Sequence, residues 1–169
     1  MISQEELITK AKIIRLVLTD VDGVLTDAGV YYGADGEVLK RFNMKDGMGV
    51  ERLKTLCNVE TGIITGELSP SVAKRAEKLK ITELHLGIKN KMTVLTKILQ
   101  TKNIQLSQVA YIGDDLNDLE VLTRVGLSAC PFDAFNTVKQ NVHYICSLNG
   151  GQACFRQFAE LIIESKINK

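Results

Sequence analysis

The sequence predicts an α/β protein with an open, doubly wound, mostly parallel Rossmann-like sheet. Short apolar runs rich in branched residues recur along the chain, and segments with the apolar spacing of helices separate them. A parallel sheet that is buried on both faces needs such continuous apolar strands. Alternation of strands and helices is typical of the doubly wound arrangement. A further pair of extended runs around a glycine-containing turn adds a β-hairpin to this prediction.

The apolar runs predict the strands in order. The first run covers residues 13–19 (IIRLVLT) and is interrupted by one charged residue. Later runs predict strands at residues 62–65, 83–86, 109–112, 126–129 and 143–146. Helical spacing predicts helices at residues 50–57, 69–79, 91–102, 116–125 and 153–163. Ser69 followed by Pro70 suits a helix start, with serine as the cap and proline as the first helical residue.

One stretch, residues 30–42 (VYYGADGEVLKRF), breaks the alternation of strands and helices. Two extended runs flank a Gly-Ala-Asp-Gly turn, which predicts a β-hairpin inserted at about residues 29–42. The chain has no long linker rich in proline or serine, no internal repeat and no low-complexity tract. We therefore expect residues 1–169 to form one domain.

The composition narrows the class of partner. With 45% hydrophobic and 24% charged residues, a chain of 169 residues can bury a sizeable core. Its net charge is +1, and the basic residues form no cluster typical of binding to nucleic acid or an anionic membrane. No apolar run reaches the roughly 20 residues that span a bilayer, and the N-terminus has no basic start followed by an apolar stretch. We expect a cytoplasmic protein that acts on a small molecule.

Acidic side chains follow two of the predicted strands. Asp20 and Asp22 come after the first strand (DVDGV), and Asp114 lies in the segment GDDLND after the strand at residues 109–112. Doubly wound sheets bind ligands beyond the carboxyl ends of their strands, so we expect these carboxylates to share a site. Carboxylate oxygens suit Mg²⁺, which also retains waters and phosphate oxygens as ligands. By contrast, we interpret Asp27, Asp35 and Asp133 as residues of turns or helix caps.

This set of residues predicts phosphoryl transfer. A divalent cation would offset the repulsion between the Asp20 carboxylate and a phosphate dianion. Asp20 would then attack phosphorus and form an aspartyl-phosphate. Asp22 is placed to protonate the leaving alkoxide and later to deprotonate the water that hydrolyses the intermediate. Thr65 and Lys91 would supply a hydroxyl group and a positive charge for the phosphoryl oxygens, and Lys91 would also keep Asp20 ionised.

The order Asp-x-Asp-Gly, Thr-Gly, Lys and Gly-Asp-Asp-x-x-Asp resembles the four motifs of the haloacid dehalogenase superfamily. In phosphatases of that superfamily the first aspartate is the nucleophile and the second is the acid/base, roles that the resemblance assigns to Asp20 and Asp22. Magnesium there contacts the first side chain, the second backbone carbonyl and the first aspartate of the fourth motif. The resemblance thus implies metal binding by Asp20, Asp22 and Asp114, with Asp115 in support. Because the dehalogenase branch lacks the second aspartate, Asp22 favours a phosphatase.

Longer segments resemble the 3-deoxy-octulosonate 8-phosphate phosphatases and their nonulosonate 9-phosphate relatives. These segments span nearly the whole chain and are DVDGVLTD, the hairpin GADGE, FNMKDGMGV, GDDLND, RVGLS and GGQACFRQFAE. The resemblance implies an enzyme without a separate cap domain. It also implies a homotetramer whose hairpins associate and whose subunits help to cover one another's active sites. The substrate contacts that it implies are Asn43, Lys45, Asp46, Gly47 and, in the second helix, Arg75.

The chain departs from this family at the mouth of the implied site. Octulosonate phosphatases usually have Thr/Ser-Gly-Arg where this chain has Thr65-Gly66-Glu67. This charge reversal would remove or reverse a contact with the carboxylate of the substrate, and it makes Gly66 and Glu67 candidate substrate-binding residues. Glu67 together with Lys78 resembles the branch that acts on nine-carbon acids, so Lys78 is a further candidate.

The C-terminal motif also departs from the family. It usually reads Gly-Gly-x-Gly-x-x-Arg-Glu, whereas this chain has Ala153 and Gln157 at the third glycine and the glutamate. Arg156 is retained, and it is a candidate ligand for a carboxylate of the substrate or of a neighbouring subunit. Whether this motif still closes a neighbouring site is left open by the sequence.

Three other functions are left open. A phosphorelay receiver domain also carries aspartates, a threonine and a lysine, but it places its acidic pair at the first strand and its lysine last. In this chain the pair Asp114-Asp115 comes late and Lys91 precedes it. A catalytically silent assembly or regulatory domain of sialic acid metabolism is disfavoured because it has no need to hold like-charged carboxyl groups together. A broad-specificity sugar phosphatase is the third alternative.

Overall fold

The computed structural model describes residues 2–167, and a six-stranded parallel sheet forms its centre. Its strands are β1 Leu16–Thr19, β4 Glu60–Ile64, β5 Glu83–His85, β6 Val109–Ile112, β7 Leu127–Cys130 and β8 Tyr144–Ile145. They lie in the order β5-β4-β1-β6-β7-β8, and each neighbouring pair is parallel. The predicted α/β class with a doubly wound parallel sheet is confirmed.

Helices cover both faces of the sheet. One group comprises α1 Gln4–Lys12, α2 Met44–Cys57, α3 Pro70–Lys78 and α7 Cys154–Ile167. The other comprises α4 Lys91–Lys102, α5 Leu119–Leu122 and α6 Asn136–Lys139. The first group shares a core that includes Leu53 and Phe158, whereas the second shares one that includes Leu95 and Val138. The sheet is therefore buried between two helical layers, as its apolar strands require.

The central strands β1 and β6 are neighbours although they are far apart in the chain. After β1 the chain builds β4 and β5 to one side, and it then returns through α4 to place β6 on the other side. Such a reversal opens a crevice beyond the carboxyl ends of the two strands. Thr19 is in register with Ile112, so the residues that follow them leave the sheet side by side.

Several predicted elements are confirmed, and the differences have local causes. The helix at 91–102 and the strand at 109–112 have the predicted bounds. β1 begins at Leu16 rather than at residue 13, because Ile13 ends α1, a helix that the sequence analysis missed. α2 begins at Met44, six residues before the predicted start, because the Asn43 side chain caps it. The predicted helix at 116–125 is a single 3₁₀ turn followed by α5.

The predicted hairpin is confirmed and stands apart from the sheet. Its antiparallel strands are β2 Val30–Gly33 and β3 Gly36–Lys40, joined by a tight turn of Ala34 and Asp35. Gly36 has a φ of +111°, a conformation that favours glycine. Most of the hairpin is exposed, but its last residue, Lys40, is buried. Within residues 2–167, no helix has both the length and the apolar character needed to cross a membrane.

Candidate active site

Three carboxyl groups meet at the carboxyl ends of β1 and β6. Asp20, Asp114 and Asp118 each offer an oxygen that lies within 4.8 Å of the others. Asp20 follows β1 directly, and its backbone N–H donates to Ile112 O at 3.0 Å, which ties the two strand ends together. Asp20 is only 5% exposed, so this charge cluster lies largely out of water.

Asp118 supports this cluster, and the sequence analysis did not assign it a role. Lys91 Nζ donates to Asp118 Oδ1 at 2.6 Å, and the Tyr111 hydroxyl donates to the same oxygen at 2.6 Å. The other oxygen, Oδ2, accepts from the backbone N–H of Asp114 at 3.1 Å. Both oxygens of Asp118 are therefore used inside the protein, where they fix Lys91 and the loop that carries Asp114. In the sequence, Asp118 is the last aspartate of the segment GDDLND, and this position was the feature that could have indicated its role.

Lys91 is the cation of the cluster. Its side chain is 1% exposed, and its Nζ lies 3.0 Å from Asp20 Oδ1 and 2.6 Å from Asp118 Oδ1. Burial alone would lower the pKa of Lys91, but the carboxylates of Asp20 and Asp118 outweigh that effect and the pKa is raised. Lys91 therefore carries a positive charge beside Asp20.

The remaining negative charge is not balanced by the protein. Burial and the charge of Asp118 raise the pKa of Asp20 to about 7, with Lys91 opposing the rise. Burial and the charges of Asp20, Asp118 and Asp115 raise the pKa of Asp114 to about 8. Two acidic groups at this edge thus hold protons at a pH at which carboxyl groups are ordinarily ionised. Contrary to the prediction, Lys91 alone does not keep Asp20 fully ionised, because burial and the charge of Asp118 outweigh it.

The oxygen atoms fit a divalent cation. Among residues 2–167, no donor is in hydrogen-bonding geometry with the buried Asp114 Oδ1 or with Asp20 Oδ1. Gly23 permits this arrangement, since a Cβ at that position would lie 2.0 Å from Asp114 Oδ2. A hard cation would occupy the space between Asp20 and Asp114 and satisfy both groups.

The two other predicted metal ligands turn their side chains elsewhere. Asp115 Oδ1 accepts from the backbone N–H of Leu116 at 2.6 Å, so this carboxylate caps the 3₁₀ turn at the start of the helical segment. Asp22 faces the hairpin, where Lys40 Nζ lies 2.5 Å from its Oδ2 and the Thr26 hydroxyl donates to its Oδ1 at 3.2 Å. The side chain of Asp22 is 23% exposed, which leaves it open to a bound molecule.

The loop after β4 forms another wall of the crevice. Thr65 is buried, its N–H donates to His85 O at 3.0 Å, and its hydroxyl accepts from the backbone N–H of Glu67 at 3.4 Å. Gly66 and Glu67 are exposed. Glu67 therefore presents its carboxylate to solvent immediately after the strand end that carries Thr65.

The start of α2 is held against α3 and the C-terminal segment. Arg75 donates to Asn43 O at 3.0 Å, and its guanidinium stands 5.7 Å over the Phe42 ring. Asn43 Nδ2 donates to Gly151 O at 3.0 Å. Gly47 allows the close approach of α3, because a Cβ there would lie 2.9 Å from the Arg75 guanidinium. Among the predicted substrate contacts at residues 43–47, Lys45 is charged and exposed.

Asp46 and Arg156 join α2 to α7. Asp46 is 3% exposed, and its Oδ1 accepts from the backbone N–H of Arg156 at 2.9 Å, so it caps the first turn of α7. Burial raises the pKa of Asp46 to about 6. The Arg156 side chain points along α7, where its Nε donates to Glu160 Oε1 at 2.6 Å. The structure thus places Asp46 and Arg156 in a contact between two helices.

Lys78 lies apart from the other candidates. It belongs to the last turn of α3 and lines a cleft of about 640 Å³ together with Glu60 and Thr61, the first residues of β4. The catalytic candidates gather at the opposite, carboxyl ends of the strands. Glu67 precedes α3 and Lys78 closes it, so the helix separates these two residues.

Comparison with known proteins connects this geometry to a family. Residues 64–153 match the model of the haloacid dehalogenase-like hydrolases. Over 159 residues the chain is 40% identical to a 3-deoxy-D-manno-octulosonate 8-phosphate phosphatase of Yersinia pestis, which covers 94% of this chain and 84% of that protein. The chain belongs to the haloacid dehalogenase-like hydrolases. Among these hydrolases, the chain belongs to the family of the octulosonate 8-phosphate phosphatases. This protein, called the hydrolase below, is a phosphoric monoester hydrolase.

Solved structures agree with this assignment. The crystal structure of the Yersinia pestis phosphatase has a TM-score of 0.93 and 39% identity to the hydrolase, over 96% of this chain and 87% of that one. The phosphatase of Moraxella catarrhalis, crystallised with a magnesium ion, a phosphate ion and the octulosonate sugar, has a TM-score of 0.94 and 35% identity. That comparison covers 98% of this chain and 95% of the Moraxella chain.

Proposed function

We propose that the hydrolase is a magnesium-dependent phosphatase that removes the terminal phosphate of an acidic 3-deoxy-ulosonate sugar, with Asp20 as the nucleophile. The observation that carries this proposal is the position of Asp20. It lies at the switch point of the sheet, 3.0 Å from the Lys91 ammonium group and beside Asp114 Oδ1, a buried oxygen without a hydrogen-bond partner in the described part of the chain. A buried carboxylate with this surrounding is suited to attack a phosphoryl group once its charge is balanced.

Magnesium would be held by the side chains of Asp20 and Asp114 and by the backbone carbonyl of Asp22. When bound, it supplies positive charge that brings the nucleophile and the phosphoryl oxygens together. Asp115 supports the loop that carries Asp114 by capping the turn behind it. The crystal structure of the Moraxella catarrhalis phosphatase with magnesium and phosphate supports this choice of metal.

The chain's own residues provide the other steps. Asp20 bonds to phosphorus as the bond to the sugar oxygen breaks, and Asp22 gives its proton to that oxygen. Asp22 then takes a proton from the water that attacks the aspartyl-phosphate, which returns Asp20 to a free carboxylate. Lys91 and the hydroxyl of Thr65 stabilise the charge on the phosphoryl oxygens.

The proposed size of the sugar depends on Glu67, at the mouth of the site. The named relatives act on the eight-carbon acid, but this chain has the exposed Glu67 where that family usually has arginine. Both acids carry a carboxylate, and an acidic residue there disfavours the sugar whose carboxylate lies nearer to it. The nine-carbon acid has one more carbon between its carboxylate and its terminal phosphate, so its carboxylate can lie farther from Glu67. We therefore propose the nine-carbon, nonulosonate-type 9-phosphates as the second candidate substrate, with the 8-phosphate as the first. We also propose a cytoplasmic location.

Restoring arginine at position 67 tests this assignment. Phosphate release is measured from octulosonate 8-phosphate, nonulosonate 9-phosphates and hexose phosphates in parallel. Glu67→Arg should shift the ratio of kcat/KM toward the eight-carbon substrate by roughly tenfold or more, since a charged hydrogen bond is worth about 1.5–3 kcal/mol. The matched control is Glu77→Arg, because Glu77 is an exposed glutamate of α3 that pairs with Lys74. An unchanged ratio in Glu67→Arg, or equal rates on all sugars, would argue for a broad-specificity phosphatase.

A further inference from the structure

Lys40 has an environment that the hairpin alone does not explain. It ends β3 in a hairpin whose residues are mostly exposed, yet its own side chain is 1% exposed. Lys40 and Lys91 are the buried lysines among residues 2–167. A buried ammonium group needs a compensating partner. For Lys91 these partners are Asp20 and Asp118, and for Lys40 they are Asp22 and Glu37, so Lys40 keeps a carboxylate partner when Asp22 carries a proton.

The contacts of Asp22 show what Lys40 does there. Lys40 Nζ lies 2.5 Å from Asp22 Oδ2, and the Thr26 hydroxyl donates to Oδ1 at 3.2 Å. One donor on each oxygen fixes both the direction and the plane of the carboxyl group. Without them, an aspartate that is 23% exposed could turn about its two side-chain bonds. A proton donor must lie within hydrogen-bond reach of the leaving oxygen, so this orientation matters for the reaction.

Lys40 is in turn held by the loop on the far side of the crevice. Glu37 Oε2 lies 3.8 Å from Lys40 Nζ, and Glu37 Oε1 accepts from the Ser69 hydroxyl. Ser69 is the cap of α3 and is itself buried. The base of the hairpin thus forms a chain of contacts, Asp22 to Lys40 to Glu37 to Ser69, that joins the loop after β1 to the loop after β4.

We infer that Lys40 is a positioning residue that holds Asp22 for proton transfer to the leaving group. The inference rests on the proposed function, in which the bond between phosphorus and the bridging oxygen breaks as the Asp20–phosphorus bond forms. The electron pair stays on the bridging oxygen, and that oxygen takes the proton of Asp22. Lys40 neither gains nor loses a proton in this step. It acts only by fixing the position of the Asp22 carboxyl group.

The test uses leaving groups of rising basicity. A series of aryl phosphates from 4-nitrophenyl to 4-methoxyphenyl phosphate, with methyl phosphate as the last member, removes all contacts of the sugar. A nitrophenolate leaves without a proton, whereas an alkoxide requires one. Lys40→Met should therefore lower kcat/KM by less than about threefold for 4-nitrophenyl phosphate and by more than about thirtyfold for methyl phosphate, a steeper dependence on leaving-group pKa. Lys40→Arg should recover most of the loss for methyl phosphate.

Two further variants separate this role from loss of structure. Arg41→Met removes the neighbouring charge, which pairs with Asp27 at the surface, and should leave the slope unchanged. In an Asp22→Asn background, Lys40→Met should add little to the loss for methyl phosphate, because both changes remove the same step. The inference is overturned if Lys40→Met lowers kcat/KM equally for all substrates, so that the slope of kcat/KM against leaving-group pKa does not change. It is also overturned if the effect of Lys40→Met is additive with that of Asp22→Asn. Absence of turnover by the unmodified protein with every phosphate would refute the proposed function instead.

Discussion

At the scale of single residues, the site is defined by an excess of carboxyl groups over ammonium groups. Asp20, Asp114 and Asp118 meet around one lysine, Lys91, which pairs with two of them. Asp118 is satisfied by Lys91, Tyr111 and a backbone N–H. The pKa of Asp20 is raised to about 7 and that of Asp114 to about 8. The charge that the protein leaves unbalanced is the charge that a divalent cation would balance.

This imbalance predicts how the stability of the metal-free protein depends on pH. The folded-state pKa values of Asp20 and Asp114 lie above the ordinary value of 3.8. Between about pH 4 and pH 8 the unfolded chain therefore binds fewer protons than the folded one, and stability falls as pH rises. Because Mg²⁺ binds ionised carboxylates, its stabilisation should grow over the same range.

The measurement is the shift in Tm on adding Mg²⁺ at pH 5.5 and at pH 8. We expect a small shift at pH 5.5 and a larger one at pH 8. Asp114→Asn serves as the matched control, since the amide keeps the shape but removes a charged ligand; its Mg²⁺ shift should be nearly lost at both values. A shift that is equal at both pH values, or that survives in Asp114→Asn, would contradict the proposed metal site.

At the scale of elements, the switch point between β1 and β6 brings the catalytic candidates together, and the hairpin supplies contacts that cross the crevice. The sequence predicted both elements because continuous apolar strands and a glycine-containing turn are local patterns. It did not predict the buried end of the hairpin, since Lys40 reads as an ordinary surface lysine in a strand that is otherwise exposed. Its charge is paired with Asp22, 18 residues earlier in the chain, and with Glu37, which the distant Ser69 holds by a hydrogen bond; only the fold places these groups together.

The same limit applies to the predicted substrate contacts. Asp46 and Arg156 were assigned by resemblance, and the structure shows that they contact each other across α2 and α7. Asp46 caps a helix that begins more than a hundred residues later in the chain, a pairing for which the local sequence has no pattern. Lys78, which resembles a residue of the nine-carbon branch, lies in the last turn of α3. Order along the chain located the loops correctly but did not fix where each side chain points.

The hairpin also bears on assembly, and we propose that it joins subunits in a homotetramer. Four of its apolar side chains are exposed, Tyr31, Tyr32, Val38 and Leu39, and the cross-strand partners Tyr31 and Leu39 lie on the same face. Large exposed apolar side chains grouped on one small element are typical of a protein interface. Tyr32→Lys should lower the mass of the assembly measured by light scattering, whereas Leu56→Lys, a change at an exposed residue of α2, should not. A monomeric unmodified protein, or a tetramer that persists in Tyr32→Lys, would contradict this role.

At the scale of the whole molecule, the fold, the charge imbalance and the family membership lead to one account. The sheet gathers Asp20 and Asp114 at the carboxyl ends of its central strands, where Asp20 is buried and Asp114 partly buried, and Lys40 of the hairpin pairs with Asp22. The sequence predicted the fold class and the catalytic candidates because the chemistry depends on residues next to strand ends. The choice of sugar depends on exposed side chains such as Glu67, and neither the sequence nor the fold of one chain fixes their contacts.

The most direct test of the account is phosphate release from octulosonate 8-phosphate by the unmodified protein and by Asp20→Asn, each with and without Mg²⁺. The account predicts magnesium-dependent turnover that falls by roughly a thousandfold or more in Asp20→Asn, because an amide cannot attack phosphorus. Asp27→Asn, a change at an exposed aspartate of the same loop that pairs with Arg41, should retain full activity. Turnover by Asp20→Asn within about tenfold of the unmodified rate would contradict the assignment of Asp20 as the nucleophile.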